Sequence, residues 1–321
     1  MKFLDAALLA LLAAASVAGG CTSRPAPPVA LSLVGAPLAA PVPGDLPGAW
    51  LQAEIDAAYA HWQLDPTEQT AIWVGRRLAY KGLFPDAVKW YAGALETYPE
   101  SHRLRRHLGH RLLTLRQPAA AVEILTDAKG LAAARPNRLE PDGAPGPTGE
   151  PRSTTHGNID YHLALAHYVL GEFDRAAELW KGCLEIWSRN DDSRVAALHW
   201  LHTSLVRAGR TDEALRVLLT PIDPADVIEN FAYHELVQLY RGERTAGEFL
   251  ARDDRSAALD YGLARHLITN GDVAAGNGLL DALIERQGWT AFGVLAAEAD
   301  VGRRDGTFVD PAPQAAEPTP R

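Results

Sequence analysis

The chain has 321 residues, 47% of them hydrophobic, and a formal net charge of −9. That is enough apolar material for a core, and the acidic balance argues against general nucleic-acid binding. Ala and Leu dominate while β-branched runs are scarce, which favours helices over strands.

At the start, Lys2 precedes an apolar run over residues 6–18 that ends in Ala18-Gly19-Gly20-Cys21. A weakly basic opening, a short apolar stretch and small residues before a cysteine read as a secretory signal over residues 1–20. The small-small-Cys ending resembles a bacterial lipobox. That resemblance implies that Cys21 becomes the lipidated first residue of an exported chain, membrane-anchored and facing the periplasm. Cleavage after Ala18, with Ser16 and Ala18 as the small pair, is the alternative. Cys183 is the one other cysteine, so lipidation would leave the mature chain without a disulfide. Residues 21–48 are rich in Pro and Ala without a sustained period and read as a semi-extended tether.

The helical region spans residues 49–303. Ala49, Ala53, Ala57 and Ala60 recur at helical spacing and predict a first helix over residues 49–62, which caps the end of the helical array. Asp65-Pro66 starts the next element, and residues 72–99 read as two short helices around a turn at Gly82 and Pro85. Gly75, Ala87 and Ala94 recur as Gly109, Ala121 and Ala128, a spacing of 34 residues. Later units turn at Gly171, Gly209, Gly242 and Gly271; in the third, Phe173, Ala176 and Trp180 come after the turn, with Cys183 at the small position of Ala94. Residues 289–303 are expected to form a second capping helix and residues 304–321 a disordered tail. Between the second and third units, residues 130–157 hold five prolines and no helix can run through them. The ends of this loop must lie close together, because the units that it joins should stack.

Small residues where two helices touch, recurring after 34 residues, with an aromatic where the helices part and a proline as stop in the first unit, resemble the tetratricopeptide repeat (TPR). The resemblance covers about residues 67–287, strongest in the first two units, although the second has Arg116 where the turn glycine belongs. It implies an all-α, right-handed solenoid of about six helix-turn-helix repeats, the last two degenerate. It further implies a non-catalytic adaptor that binds a protein or peptide along its concave face, as in TPR lipoproteins of the bacterial cell envelope.

In such a stack the first helix of each unit lines the concave face, so the residues opposite each buried stripe are the candidate ligand contacts. In the second unit Leu104, Leu108, Leu112 and Leu115 form the stripe, and Arg103, Arg106 and His110 lie opposite. The same construction selects Trp73, Arg76 and Tyr80 in the first unit, Tyr161 and Tyr168 in the third, and Trp200 and Arg207 in the fourth, with Thr203 between. Arg, Tyr and Trp are the types enriched at binding hot spots. Residues 76–116 carry nine Lys/Arg against three Asp/Glu, inside an acidic chain. This basic stretch predicts an acidic peptide segment or a free C-terminal carboxylate as the ligand.

His107 with His110 and His199 with His202 share an HxxH spacing, but no carboxylate or thiol completes either set, so hydrogen-bonded histidines are the better account and no metal or other cofactor is expected. GxSxG, Walker, GxGxxG and HExxH signatures are absent, and no catalytic residue is assigned. Asp191-Asp192 and Asp253-Asp254 fall in predicted turns, where they cap helices. The alternative reading is an enzyme or metal-binding protein on a helical-repeat scaffold.

Overall fold

The computed structural model describes residues 27–41, 47–141, 151–286 and 288–310. The signal segment and Cys21 lie outside them, as does the end of the tail. Fourteen α-helices and one two-stranded hairpin make up the described part. After α1 (Gly48–Leu64) the helices pair as the 34-residue spacing predicts: α2 (Glu68–Tyr80) with α3 (Phe84–Thr97), α4 (His102–Thr114) with α5 (Pro118–Ala132), and α6 (Thr155–Leu170) with α7 (Phe173–Ile186). The fourth and fifth units are shortened, α8 (Asp191–Arg207) with α9 (Thr211–Val217) and α10 (Phe231–Tyr240) with α11 (Ala246–Leu250). The sixth is full-sized, α12 (Ala257–Thr269) with α13 (Val273–Ile284), and α14 (Phe292–Asp305) comes last. The chain is thus an all-α solenoid of TPR-like units.

Side-chain caps open most of the first helices. Thr67, Ser101, Thr154, Asn190 and Ser256 each accept the N–H three residues on, a contribution of about 1 kcal/mol apiece. The recurring glycine marks closest approach within a pair. A Cβ on Gly75 would sit 2.2 Å from the Tyr91 ring, and one on Gly109 would sit 2.4 Å from Leu125. Arg116 departs from the glycine at the turn yet keeps its geometry, with φ of 63° where Gly82, Gly171 and Gly209 also take positive values. A left-handed non-glycine costs about 1–2 kcal/mol. Arg116 offsets it by donating to Glu298 Oε2 (2.9 Å) and Oε1 (2.7 Å), and to the Thr114 and Trp289 carbonyls.

Three expectations are corrected. Part of the tether is folded: β1 (Ala30–Leu31) and β2 (Pro37–Leu38) pair antiparallel around Gly35, and Leu33 is completely buried with its N–H on Glu298. An apolar turn of Leu and Val gives this hairpin something to bury, which Pro and Ala counts conceal. The last helix is no cap. Residues 293–302 of α14 are buried on every side, because they are small or apolar apart from Glu298 and Asp300. The chain also stays ordered past 303, since α14 runs to Asp305 and the Val309 N–H bonds to the Leu33 carbonyl (2.9 Å).

The ends of the long loop do meet. Leu139 bridges Thr154, Glu140 N–H donates to Ser153 O (3.0 Å) and Thr155 N–H to Arg138 O (2.9 Å).

Candidate functional site

The concave face expected to be open is filled by the chain itself. Phe292 at the start of α14 lies beside Tyr161, His162 and His110. Further along, Glu298 meets Arg116, Asp300 meets Arg207 and Tyr261, and Arg303 donates to Val169 O. One helix is therefore gripped by side chains from α4, α6, α8 and α12, so that the groove and the helix filling it belong to one chain.

Some of the candidate contacts are consequently internal. Trp200 is fully buried and stacks on Trp180, with its indole N–H donated to the Tyr161 hydroxyl (3.1 Å). Tyr168 is 1% exposed and shares a 2.6 Å hydrogen bond with Tyr261. These two are buried against Tyr261 of α12, a neighbour that the helical phase of α6 and α8 does not reveal. Arg207 lies 4.0 Å over Phe173 and 2.5 Å from Asp300. Arg303 (3.4 Å) and Arg265 (3.6 Å) approach the same carboxylate. Asp300 thus answers three guanidiniums, and Arg265 Nε is buried with no hydrogen-bond partner.

The remaining candidates gather between α2 and α4. Arg76, Tyr80, Arg106 and His110 line a small cavity of about 120 Å³ together with Tyr91, His107 and Arg111. Arg76 donates to the Tyr80 hydroxyl (2.9 Å) and to the Pro141 carbonyl, and packs 4.8 Å over the half-buried Trp73. Arg103 points away, to Glu68 (3.0 Å) and Gln69. Arg106, expected on an exposed face, is 9% exposed, because the long loop folds over it: Glu140, 5% exposed, lies 2.7 Å from its guanidinium and takes a hydrogen bond from Asn158. Arg106 Nε is left without a partner.

Arg111, absent from the sequence-derived set, is the decisive neighbour. Its guanidinium makes no hydrogen bond or ion pair among the described residues and lies 5.5 Å over Phe84. Burial lowers its pKa to about 10, with the other arginines adding to the effect. Burial, then the surrounding arginines, also holds His107 and His110 well below the ordinary histidine range, so both are neutral at pH 7. The cavity is therefore cationic through guanidinium alone.

The HxxH pairs serve ordinary roles. His107 stacks on Tyr91, His199 shares a 2.9 Å bond with Tyr240, and His202 Nδ1 faces the Ala214 carbonyl (3.0 Å). Among the described residues no group of three or more His, Cys, Asp and Glu is placed to hold a metal ion. Cys183 is completely buried, and burial pushes its thiol well up. Asp192 binds the N–H groups of residues 228–230, and Asp191 accepts from the Asp223 N–H (2.7 Å).

Sequence offered two unused signals. An arginine at a turn-glycine position needs a strong partner, and two acids inside an otherwise apolar α14 need basic ones. Together they specify the pairing of Arg116 with Glu298.

No protein-family model matches the chain, and no curated protein matches it in sequence. Among solved structures it is similar to a crystal structure of a Podosopora anserina putative kinesin light chain with nearly identical TPR-like repeats, at 18% identity and a TM-score of 0.41, over 80% of this chain and 98% of that one. At that distance the likeness says nothing about ligands, and the repeat architecture stands on the helix pairs themselves.

Proposed function

We propose that this chain is a non-catalytic scaffold that captures an acidic peptide segment, or a free C-terminal carboxylate, in the cavity between α2 and α4. The supporting observation is Arg111. A half-buried guanidinium with no carboxylate of its own, beside an Arg106 whose Nε has no partner, favours an incoming anion. Exposed Tyr80 and half-buried Trp73 flank the entrance and suit the apolar part of a peptide. Filling of the concave face by α14 moves the ligand from the whole groove to this one end. Ala18-Gly19-Gly20-Cys21 supports export and anchoring through a lipid on Cys21, which would place the scaffold at the periplasmic face of a membrane.

The test uses a labelled oligoglutamate peptide with a free carboxyl terminus and its amidated counterpart, titrated by fluorescence anisotropy. Wild type should bind, more weakly as salt rises, because partly exposed charges are screened. Arg106→Gln should weaken binding by about tenfold, the loss of one charge-assisted hydrogen bond. Undiminished binding by the folded variant removes the cavity as the site. Membrane partitioning of wild type against Cys21→Ser tests the anchor, and a mature chain beginning at Gly19 in the soluble fraction would refute it.

A further inference from the structure

The shortened fourth and fifth units leave a second cavity between α8, α9, α10 and α12. Its volume is about 190 Å³, somewhat larger than a cavity of about 150 Å³ that admits a benzene-sized molecule. Its walls are mainly apolar carbon from Val206, Ala214 and Leu215, and Leu215 stands 57% exposed at the mouth. Three rings are piled along one side: His202 on Tyr240 at 4.5 Å and 23°, and Tyr240 on His266 at 6.0 Å and 24°. His202 Nδ1 and the Tyr240 hydroxyl are engaged by Ala214 O and His199, and the stacked ring faces make up this wall.

The inner end of the cavity is cationic. Arg207 and Arg265 line it, and both belong to the group around Asp300. Among the described residues that group sets Arg207, Arg265 and Arg303 against a single carboxylate. The tyrosines beside it, Tyr168 and Tyr261, share one hydrogen bond. Arg207 holds Asp300 most closely, at 2.5 Å, and Arg303 also donates to backbone carbonyls. Arg265 has only the 3.6 Å approach, and its buried Nε has no acceptor. A buried donor without an acceptor costs about 1–3 kcal/mol, more when charged.

We propose that this cavity binds a short aliphatic carboxylate, its carboxylate on Arg265 and its hydrocarbon between Leu215, Val206 and the ring wall. The cavity is too small for a nucleotide-sized cofactor and too apolar for a bare inorganic anion. Such a group exists as a free acid and as the terminal residue of a peptide chain. This site differs in position, lining and ligand from the α2–α4 cavity, and the two are read with different probes, so either can fail alone.

Isothermal titration of the full chain with isovalerate, isovaleramide, N-acetyl-leucine and inorganic phosphate tests it. At least one of the two aliphatic carboxylates should bind saturably, with isovaleramide and phosphate weaker by about tenfold or more. N-acetyl-leucine as the tighter of the two would assign the cavity to a chain terminus, isovalerate to a free acid. Arg265→Gln should abolish the signal. Leu215→Asp changes an exposed residue, so it should fold, and a like charge at the mouth should cost about tenfold in affinity. Failure of both carboxylates overturns the proposal, as does equal binding of isovaleramide or phosphate. So does wild-type affinity in the folded Leu215→Asp variant, which decides the matter should Arg265→Gln not fold.

Discussion

Around Asp300, arginines from α8, α12 and α14 converge on a carboxylate in the buried stretch of α14. Around Glu140, Arg106 meets a carboxylate carried by a loop, and Arg111 beside it meets none. The two clusters use the same chemistry, yet one is tied to the packing of α14 and the other to a loop residue that lies outside any helix. Burial fixes the first, because withdrawing Asp300 would mean withdrawing α14 from four neighbouring helices. The second can open at the cost of a local rearrangement. That difference makes Asp300 a structural partner of the repeats and the Glu140 cluster the better place for an outside ligand.

The sharpest way to break this comparison is to remove the two carboxylates. Asp300→Ala leaves three guanidiniums facing one another and should cost about 3–5 kcal/mol in urea unfolding, the usual penalty for breaking a buried ion pair from one side. Glu140→Ala should cost less, about 1.5–3 kcal/mol, the value of a hydrogen bond to a charged group, because the freed Arg106 can gain water once the loop lifts. Equal losses would mean that both clusters are equally locked, and the α2–α4 cavity would then have no advantage as a binding site.

Acid sharpens the comparison by region. His107, His110 and His162 surround the Glu140 cluster, and burial lowers each well below the ordinary histidine pKa. Their folded pKa values lie below the unfolded one, so the unfolded chain takes up protons first. The stability they confer is complete above about pH 6.5 and is lost as pH falls below it, at up to about 1.4 kcal/mol per pH unit for each histidine. Hydrogen exchange at pH 5.5 against pH 7.5 should therefore show α4 and α6 opening ahead of α14, which holds no histidine. Uniform protection loss along the array would contradict the regional assignment.

Much of the fold was legible because it is local and periodic. Gly75 and Gly109 mark close approaches within helix pairs, and the 34-residue register set the units without any knowledge of tertiary contacts. The site was legible only where its residues sat on the first helices of the first two units, as Arg76, Tyr80, Arg106 and His110 did. Helical phase tells which side of a helix faces inward but not what stands there. Trp200 and Tyr168 are buried and meet Tyr261 of α12, a helix far along the sequence from α6 and α8. The same reason hid Glu140. Its proline-rich loop has no period, and its place over Arg106 depends on contacts across 34 residues.

The smallest expected change in stability is also the one that tests the binding site most directly. Arg111→Gln removes a cation that has neither hydrogen bond nor ion pair among the described residues, so folding loses no partner. The variant should lose no stability in urea at pH 7, because it removes a buried charge that has no counter-ion. Oligoglutamate binding at pH 7 should meanwhile fall by about tenfold in the variant, since the charge that folding does not use is the one an acidic ligand would meet. A loss of more than about 1.5 kcal/mol in stability, with binding unchanged, would make Arg111 a structural residue like Arg207 and leave the α2–α4 cavity without the unsatisfied charge that recommends it.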